Sequence, residues 1–554
     1  MPYTNVPAFF ADCVLPNDEA LRRAVRSGMT VASGFATSEP TTFYDSLWGH
    51  IEREDITGLD IRQALFMAPY ELCLGSALKS KGALADLAAS SASDSSLGRF
   101  ARKVNAVTKK LEGLKRLIGH YEELHRRRIT FTSAFIGPAT NAVIPSNFLT
   151  RALYPDYVGR NTTRMGITRM QSIHFPDAVD SMGYDPDDNP QVDTFVMTMT
   201  PPNEKGELSH GLANGANGEI LEKALRLKTI NILLYMNPKY PFTRGYGDEY
   251  AANTIHASRF EGLARAGKLF VVEDNDGRLP ALPANALDNP AHSEVTIAQN
   301  AVNHIEQNLR YTQGRAIQVG FGGTGVLVIK DLKSSSWTGR CYTEMLEPFT
   351  LDLFEAGKIS GTHFIEKDGR RTVLDGKLVA TFTICTEGSD FYKKLDNNPN
   401  LIIAPASRVV IPEAFHYGMG INNCLSIDFQ GHINAGGRDR NHFSGVGGGA
   451  TINRGLSRGG IGYFCMKSTH TTPEGKLRSS IFPFQPMGTP ISYIGPDVMG
   501  GREGARFFLV TEHGVAQMSG VDQHRFVRNL ISVSDPRFRD ELNHQAWKEF
   551  RIRA

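Results

Sequence analysis

The chain has 554 residues, too many for one ordinary hydrophobic core, so at least two α/β domains are expected. Its 60 Lys and Arg against 58 Asp and Glu leave a formal charge of +2, which argues against a general nucleic-acid footprint. No run approaches the roughly 20 apolar residues of a membrane helix.

Asp12 and Pro16 interrupt the N-terminus where a signal peptide needs a basic start and an unbroken apolar run. Six cysteines are scattered without a CxxC pair, a pattern that suits a reducing compartment and offers no zinc spacing. The expected setting is cytoplasmic, with no membrane, nucleic-acid or metal partner. Arg126-Arg127-Arg128 is the one local basic run singled out, and an ion-paired or solvated cluster accounts for it.

In chain order, the helix-like NDEALRRAVRSG leads into a strand signal, MTVASGF, over 29–35. ATSEPTTFYDSLWGH follows, and Ser38 or Thr41 is placed to cap a short helix. Residues 84–96 read as a loop or weak helix. Phe100, Val104, Val107, Leu111, Leu114 and Ile118 then mark one apolar helical stripe that Gly119 ends. ITFTSAFIG, VDTFVMTMT and INILLYMN are strand-like runs ending in loops, which favours crossover connections and a mostly parallel sheet. GYDPDDNPQ, ahead of VDTFV, reads as an irregular solvent loop. EDNDGRLPALPANALDNP gathers Pro, Asp, Asn and Gly without periodicity, so the domain boundary is placed between 1–280 and 281–554.

The second half restarts the pattern. Ile297, Ala301, Ile305 and Leu309 share one helix face, then RAIQV reads as a strand and GFGGTG as the loop after it. Gly320, Gly322 and Gly325 have the GxGxxG spacing that lets a tight turn bring backbone N–H groups to an anion. Glu344 lies where a dinucleotide-binding fold places its ribose-binding acid, so an NAD- or FAD-binding oxidoreductase is a rival at this point. A second glycine cluster, Gly445, Gly447, Gly448 and Gly449, offers another loop of little side-chain bulk. A carboxylate between two such loops can attack a thioester carbonyl, with backbone N–H groups stabilising the oxyanion. That chemistry requires an ionised carboxylate surrounded by hydrogen-bond donors. The bland alternative is that Glu344 caps the next helix or pairs with Arg340. His513 is a second titratable candidate, although holding the TEHG loop explains it as well.

IQVGFG, CYTEM, DLFEAGKISG, IDFQGHINAGG, FSGVGGG and VTEHGVAQMSG, in that order, resemble the acetyl-CoA hydrolase/transferase family. This group includes acetate, succinate and 4-hydroxybutyrate CoA-transferases. SGFATSEP and PPNEKGELSHG extend the resemblance into the first half. It implies two related α/β CoA-transferase lobes with mostly parallel sheets, commonly paired as a homodimer. It further implies acyl-CoA and small carboxylic acids as substrates, coenzyme A as substrate or product, and no other cofactor. By this resemblance Glu344 is the acylated glutamate, and the backbone at Phe321, Gly445, Gly447 and Gly448 supplies the oxyanion loops. Gly320, Gly322, Asn434, Gly445 and Gly447 fall at the CoA site by the same argument. One departure is Ser426, which stands where relatives commonly carry glutamate. Acyl-CoA hydrolysis through the same intermediate remains an alternative, as does a CoA-binding module without catalysis.

Overall fold

The computed structural model describes residues 5–67, 70–74, 116, 119–135, 168–247, 251–282, 284, 289–320, 322–438, 441–442, 444–445, 447–472 and 475–553. The stripe residues Phe100, Val104, Val107, Leu111, Leu114 and Ile118, the 84–96 segment and Phe321 lie outside them.

The first lobe is built on β1 (Thr30–Ser33), β2 (Asp60–Gln63), β3 (Thr130–Ser133), β4 (Thr168–Met170), β5 (Thr194–Met199), β6 (Asn231–Met236) and β7 (Leu269–Glu273). They lie in the order β4-β3-β2-β1-β5-β6-β7, all parallel. Every residue of β5 and β6 is buried, as a sheet covered on both faces requires. Alternation divides the side chains between two cores. Val31, Ile61, Val196 and Leu233 meet α1 (Thr41–Arg53), while Phe195, Met197, Ile232 and Leu234 share the other core with α2 (Asn217–Leu227). Neither expected cap closes α1, which has 13 residues and starts after Pro40 without a side-chain cap. Ser38 instead donates to the Phe35 carbonyl, and Thr41 to the Arg278 carbonyl.

The second lobe carries β8 (Ala316–Val319), β9 (Arg340–Cys341), β10 (Met419–Asn423), β11 (Ile461–Cys465), β12 (Arg506–Thr511) and β13 (Gly514–Gln517). Their order is β9-β8-β10-β11-β12-β13, parallel except for the final hairpin. α3 (His292–Gln307) and α4 (Gly323–Leu332) bury Ile297, Ala301, Ile305, Val328 and Ile329 against one face. Leu309 does not continue α3. The helix stops at Asn308, and Leu309 opens a separate four-residue turn. α5 (Gly449–Leu456), α6 (Gln523–Ser532) and α7 (Pro536–Phe550) cover the other face.

In both sheets the strand order reverses direction once, between β1 and β5 and between β8 and β10. Crevices at the carboxyl ends of strands beside such reversals are where open α/β sheets bind ligands. The two lobes are sewn together by backbone bonds. Asn214 N–H donates to the Thr381 carbonyl at 2.9 Å, Thr383 N–H to Leu212 at 2.8 Å, and Ala406 N–H to Gly215 at 2.7 Å. A small apolar cluster of Ala36, Met67, Ala213, Met345, Phe382 and Ile384 fills the seam.

Two surface segments take the form their chemistry favours. Asp185 in the GYDPDDNPQ loop accepts from the N–H groups of Asp187 and Asn189, and Asp188 pairs with Lys223 and Arg226 on α2. That loop folds onto its own lobe. Arg126 and Arg127 pair with Glu123, and Arg127 also with Asp55. Among the described residues no helix is long and apolar enough to cross a membrane, and no group of three His, Cys, Asp or Glu is placed to hold a metal ion.

Candidate active site

Glu344 stands three residues beyond the carboxyl end of β9, in the turn before the two-residue strand Met345–Leu346. Its backbone is fixed from two sides. The Glu344 carbonyl accepts from Thr381 N–H at 3.0 Å and Phe382 N–H at 3.3 Å, and the Thr343 hydroxyl donates to the Met345 carbonyl at 2.9 Å. Just upstream, the buried Tyr342 ring stacks on His363 with centroids 4.5 Å apart. Residues on both sides of Glu344 are therefore tied down.

The carboxylate meets the turn that leads into α5. A Cβ built on Gly448 would overlap Glu344 Oε2 and come within 2.6 Å of Val410 Cγ1, so only glycine lets the chain pass this close. Gly447 adopts φ +57°, and a Cβ there would lie 3.7 Å from Oε1. Gly448 caps α5 and Gly449 begins it, so the positive end of that helix is turned towards the carboxylate. The turn is also held by the first lobe. Phe175 N–H donates to the Gly447 carbonyl at 3.0 Å, and the Phe175 ring packs between Phe35 and Phe382. Gly445 packs beneath the Ala134–Phe135 backbone, and the contacts with Glu344 come from Gly447 and Gly448.

Glu344 is only half-buried as a residue, but its Oε2 is sealed and has no hydrogen-bond partner among the described residues. Burial pushes the carboxyl up to about 7, and the Gly448 N–H facing it opposes that shift. This differs from the expected shell of several donors. The cause is the apolar wall of Val410 and the close glycine backbone, which exclude water without replacing all its hydrogen bonds.

Neither bland role belongs to Glu344. Glu347 caps the next helix, accepting from Phe349 N–H at 2.6 Å and Thr350 N–H at 2.9 Å. Arg340 pairs with Asp375 at 2.7 Å. Cys341 is a core residue whose thiol burial holds far above the usual range, as suits packing rather than attack. His513 Nε2 lies 3.9 Å from both Glu512 and Asp535 in the β12–β13 hairpin. Glu512 itself accepts from Ser468 N–H and Oγ, bracing the loop after β11.

Of the other expected binding residues, Gly320 and Gly322 follow a strand of the large second-lobe sheet, and Asn434 lies in a separate three-stranded sheet. Gly320 follows β8, with its N–H donating to the Ile421 carbonyl at 2.8 Å, and Gly322 caps α4 against the Asn423 side chain. Asn434 is 1% exposed and spends most of its amide inside its own turn. It accepts from Gly436 and Gly437 N–H groups and donates to the Gly437 carbonyl. Ser426 donates to Gln485 and accepts from Asn434, forming a neutral network. Phe175, Val410 and Tyr493 were not legible as site residues. They lie in segments without a motif, and only the chain's return places them at the carboxylate.

Fold and site together define an α/β protein of two parallel-sheet lobes, with a buried carboxylate held under a helix-opening glycine turn at their seam. Residues 388–546 match the acetyl-CoA hydrolase/transferase C-terminal domain. The 4-hydroxybutyrate coenzyme A transferase of Clostridium kluyveri is 26% identical over 364 residues, covering 65% of this chain and 73% of that protein. The butyryl-CoA:acetate CoA-transferase of Anaerostipes caccae is 26% identical over 370 residues, covering 64% and 72%. RipA from Yersinia pestis superposes over 98% of both chains with a TM-score of 0.67 at 20% identity, a likeness of fold. The family match suggested by the motifs therefore holds. Residues 388–546 carry the acetyl-CoA hydrolase/transferase C-terminal domain, and the chain is an enzyme of the CoA-transferase class.

Proposed function

We propose that this protein catalyses acyl-CoA:carboxylate CoA transfer through Glu344, with short-chain acids such as acetate or succinate as donor and acceptor. The observation that carries the reading is a carboxylate buried at the seam of two lobes, against the Gly447–Gly448 turn and the positive end of α5. The 1–280 lobe supplies the strap at Phe175, and the 281–554 lobe supplies the nucleophile and the glycine turn.

The chemistry runs in four balanced steps. A Glu344 oxygen attacks the thioester carbonyl, the C–S bond breaks, and CoA thiolate leaves an acyl-glutamyl anhydride. The thiolate then attacks Glu344 Cδ, the C–O bond breaks, and the first acid departs as its carboxylate from a glutamyl-CoA thioester. The second acid attacks Cδ and expels the thiolate. Finally the thiolate attacks the new acyl carbonyl and frees Glu344. No proton changes hands overall, so the site needs charge stabilisation rather than an acid–base pair. Gly448 N–H and the α5 N-terminus supply it at Cδ. Backbone at Gly320 and Gly322, which follow β8, and at Phe321 is assigned to the CoA and acyl side.

Burial of Glu344 Oε2 also limits water, which favours transfer over hydrolysis. The test is exchange of isotopically labelled acetate into acetyl-CoA. We expect label in the thioester at a rate well above CoA release. Release of CoA without incorporation would assign the protein as a hydrolase instead. We further propose a homodimer acting in a reducing compartment. Light scattering at about twice the 60.9 kDa chain mass is expected, and a single-chain mass removes the dimer.

A further inference from the structure

Tyr493 meets the glycine turn at Gly449, two residues on from the Gly447 that Phe175 holds, in a segment that no motif singled out. Its backbone runs antiparallel to Ile433, with N–H donating to that carbonyl at 3.1 Å, and its ring packs edge-on to Phe464 at 5.1 Å. The side chain is 4% exposed, although Ile491 and Ile494 beside it are largely open to solvent. The segment therefore directs one residue inwards.

What that residue reaches is the start of α5. A Cβ on Gly449 would overlap the Tyr493 hydroxyl, just as a Cβ on Gly448 would overlap Glu344 Oε2. The phenol and the carboxylate therefore meet adjacent residues of one turn. Burial, and then the neighbouring Cys424, Glu344 and Asp497, hold the phenol's proton on at neutral pH, so the hydroxyl is available as a donor.

Resting on the proposed covalent route, we propose that the Tyr493 hydroxyl is a catalytic hydrogen-bond donor to the oxyanion that forms on Glu344 itself. This assigns it to the two central steps, in which Cδ of Glu344 is attacked. The two outer steps place their oxyanion on the substrate's acyl carbon instead. The Gly448 N–H and the phenol would then face the same oxygen from neighbouring positions.

The assignment predicts a split between steps that a merely structural tyrosine would not produce. Tyr493→Phe keeps the ring and its packing on Phe464. It should discharge a preformed Glu344–CoA adduct to acetate about 100-fold more slowly than the parent, in line with loss of one oxyanion donor. KM for the acyl-CoA should stay within about twofold, because the ground-state contacts are untouched. Gly449→Ala, whose methyl displaces the hydroxyl, should slow the same step. Discharge at the parental rate in Tyr493→Phe, or an equal rise in KM and fall in kcat, overturns the role of Tyr493 and leaves the Glu344 reading standing. An unmodified Glu344 in the active parent overturns that reading and this inference with it.

Discussion

Glu344→Gln is expected to lower CoA transfer by on the order of 10⁴-fold and, at the same time, to make the folded protein more stable in mildly alkaline buffer. The first effect follows from removing the attacking carboxylate while keeping its shape. The second follows from burial. The folded carboxyl is raised from 4.5 to about 7, so the native state binds a proton that the unfolded chain has already lost. Stability from this group is complete below about 4.5 and falls as pH rises to about 7. Above that point the parent carries an ionised carboxylate in a poor solvent, at a cost of at most about 3 kcal/mol because part of the side chain still reaches water. Glutamine stays neutral throughout. The melting temperatures of parent and Glu344→Gln should therefore converge near pH 4.5 and separate, with the variant higher, above pH 7. Other buried acids such as Glu39 and Glu347 are common to both proteins and cancel in the difference. A variant less stable than its parent across that range would mean that Glu344 holds the fold together instead of straining it. The same ionisation should limit the rate, with kcat/KM falling as pH drops through about 7.

Gly448→Ala should be severely damaging to transfer. The added Cβ meets Glu344 Oε2 on one side and Val410 Cγ1 at 2.6 Å on the other. Both neighbours are pinned, Glu344 by its backbone bonds to Thr381 and Phe382 and Val410 by its place in the core. The turn must then lift away from the carboxylate. Transfer should fall more than about 100-fold through loss of the Gly448 N–H, with about 1–3 kcal/mol of destabilisation from overpacking. Gly445→Ala crowds Ala134 and Phe135, so its first effect should fall on the junction between the lobes. Equal and mild losses for the two variants would show that the turn is only a linker.

Much of this architecture is legible in the chain. VDTFVMTMT and INILLYMN become the fully buried β5 and β6 because β-branched and apolar runs without alternation suit a sheet covered on both faces. The spacing of Ile297, Ala301 and Ile305 gives the buried face of α3, but periodicity carries no signal for the break at Asn308, where the helix stops before Leu309. Ser38 and Thr41 have the right chemistry for caps and are recruited by carbonyls of Phe35 and Arg278, the latter far away in sequence. Local propensity loses there to a tertiary contact.

The site divides in the same way. CYTEM and FSGVGGG mark Glu344 and the glycine turn, yet nothing local says that Gly448 rather than Gly445 touches the carboxylate. That choice depends on the course of the chain between β10 and α5. The raised carboxyl is likewise a property of packing, because Val410 and the glycine backbone come from segments well separated from Glu344. Ser426 was visible as a departure, while its pairing with Gln485 and Asn434 needed the fold.

The covalent role of Glu344 is tested most directly by intact-mass analysis after brief exposure to acyl-CoA, followed by peptide mapping. The account predicts a labile increment of one CoA thioester, mapped to the peptide bearing Glu344 and absent from Glu344→Gln. Undiminished exchange by that variant, with its glutamine intact, or a CoA adduct on another residue would contradict it.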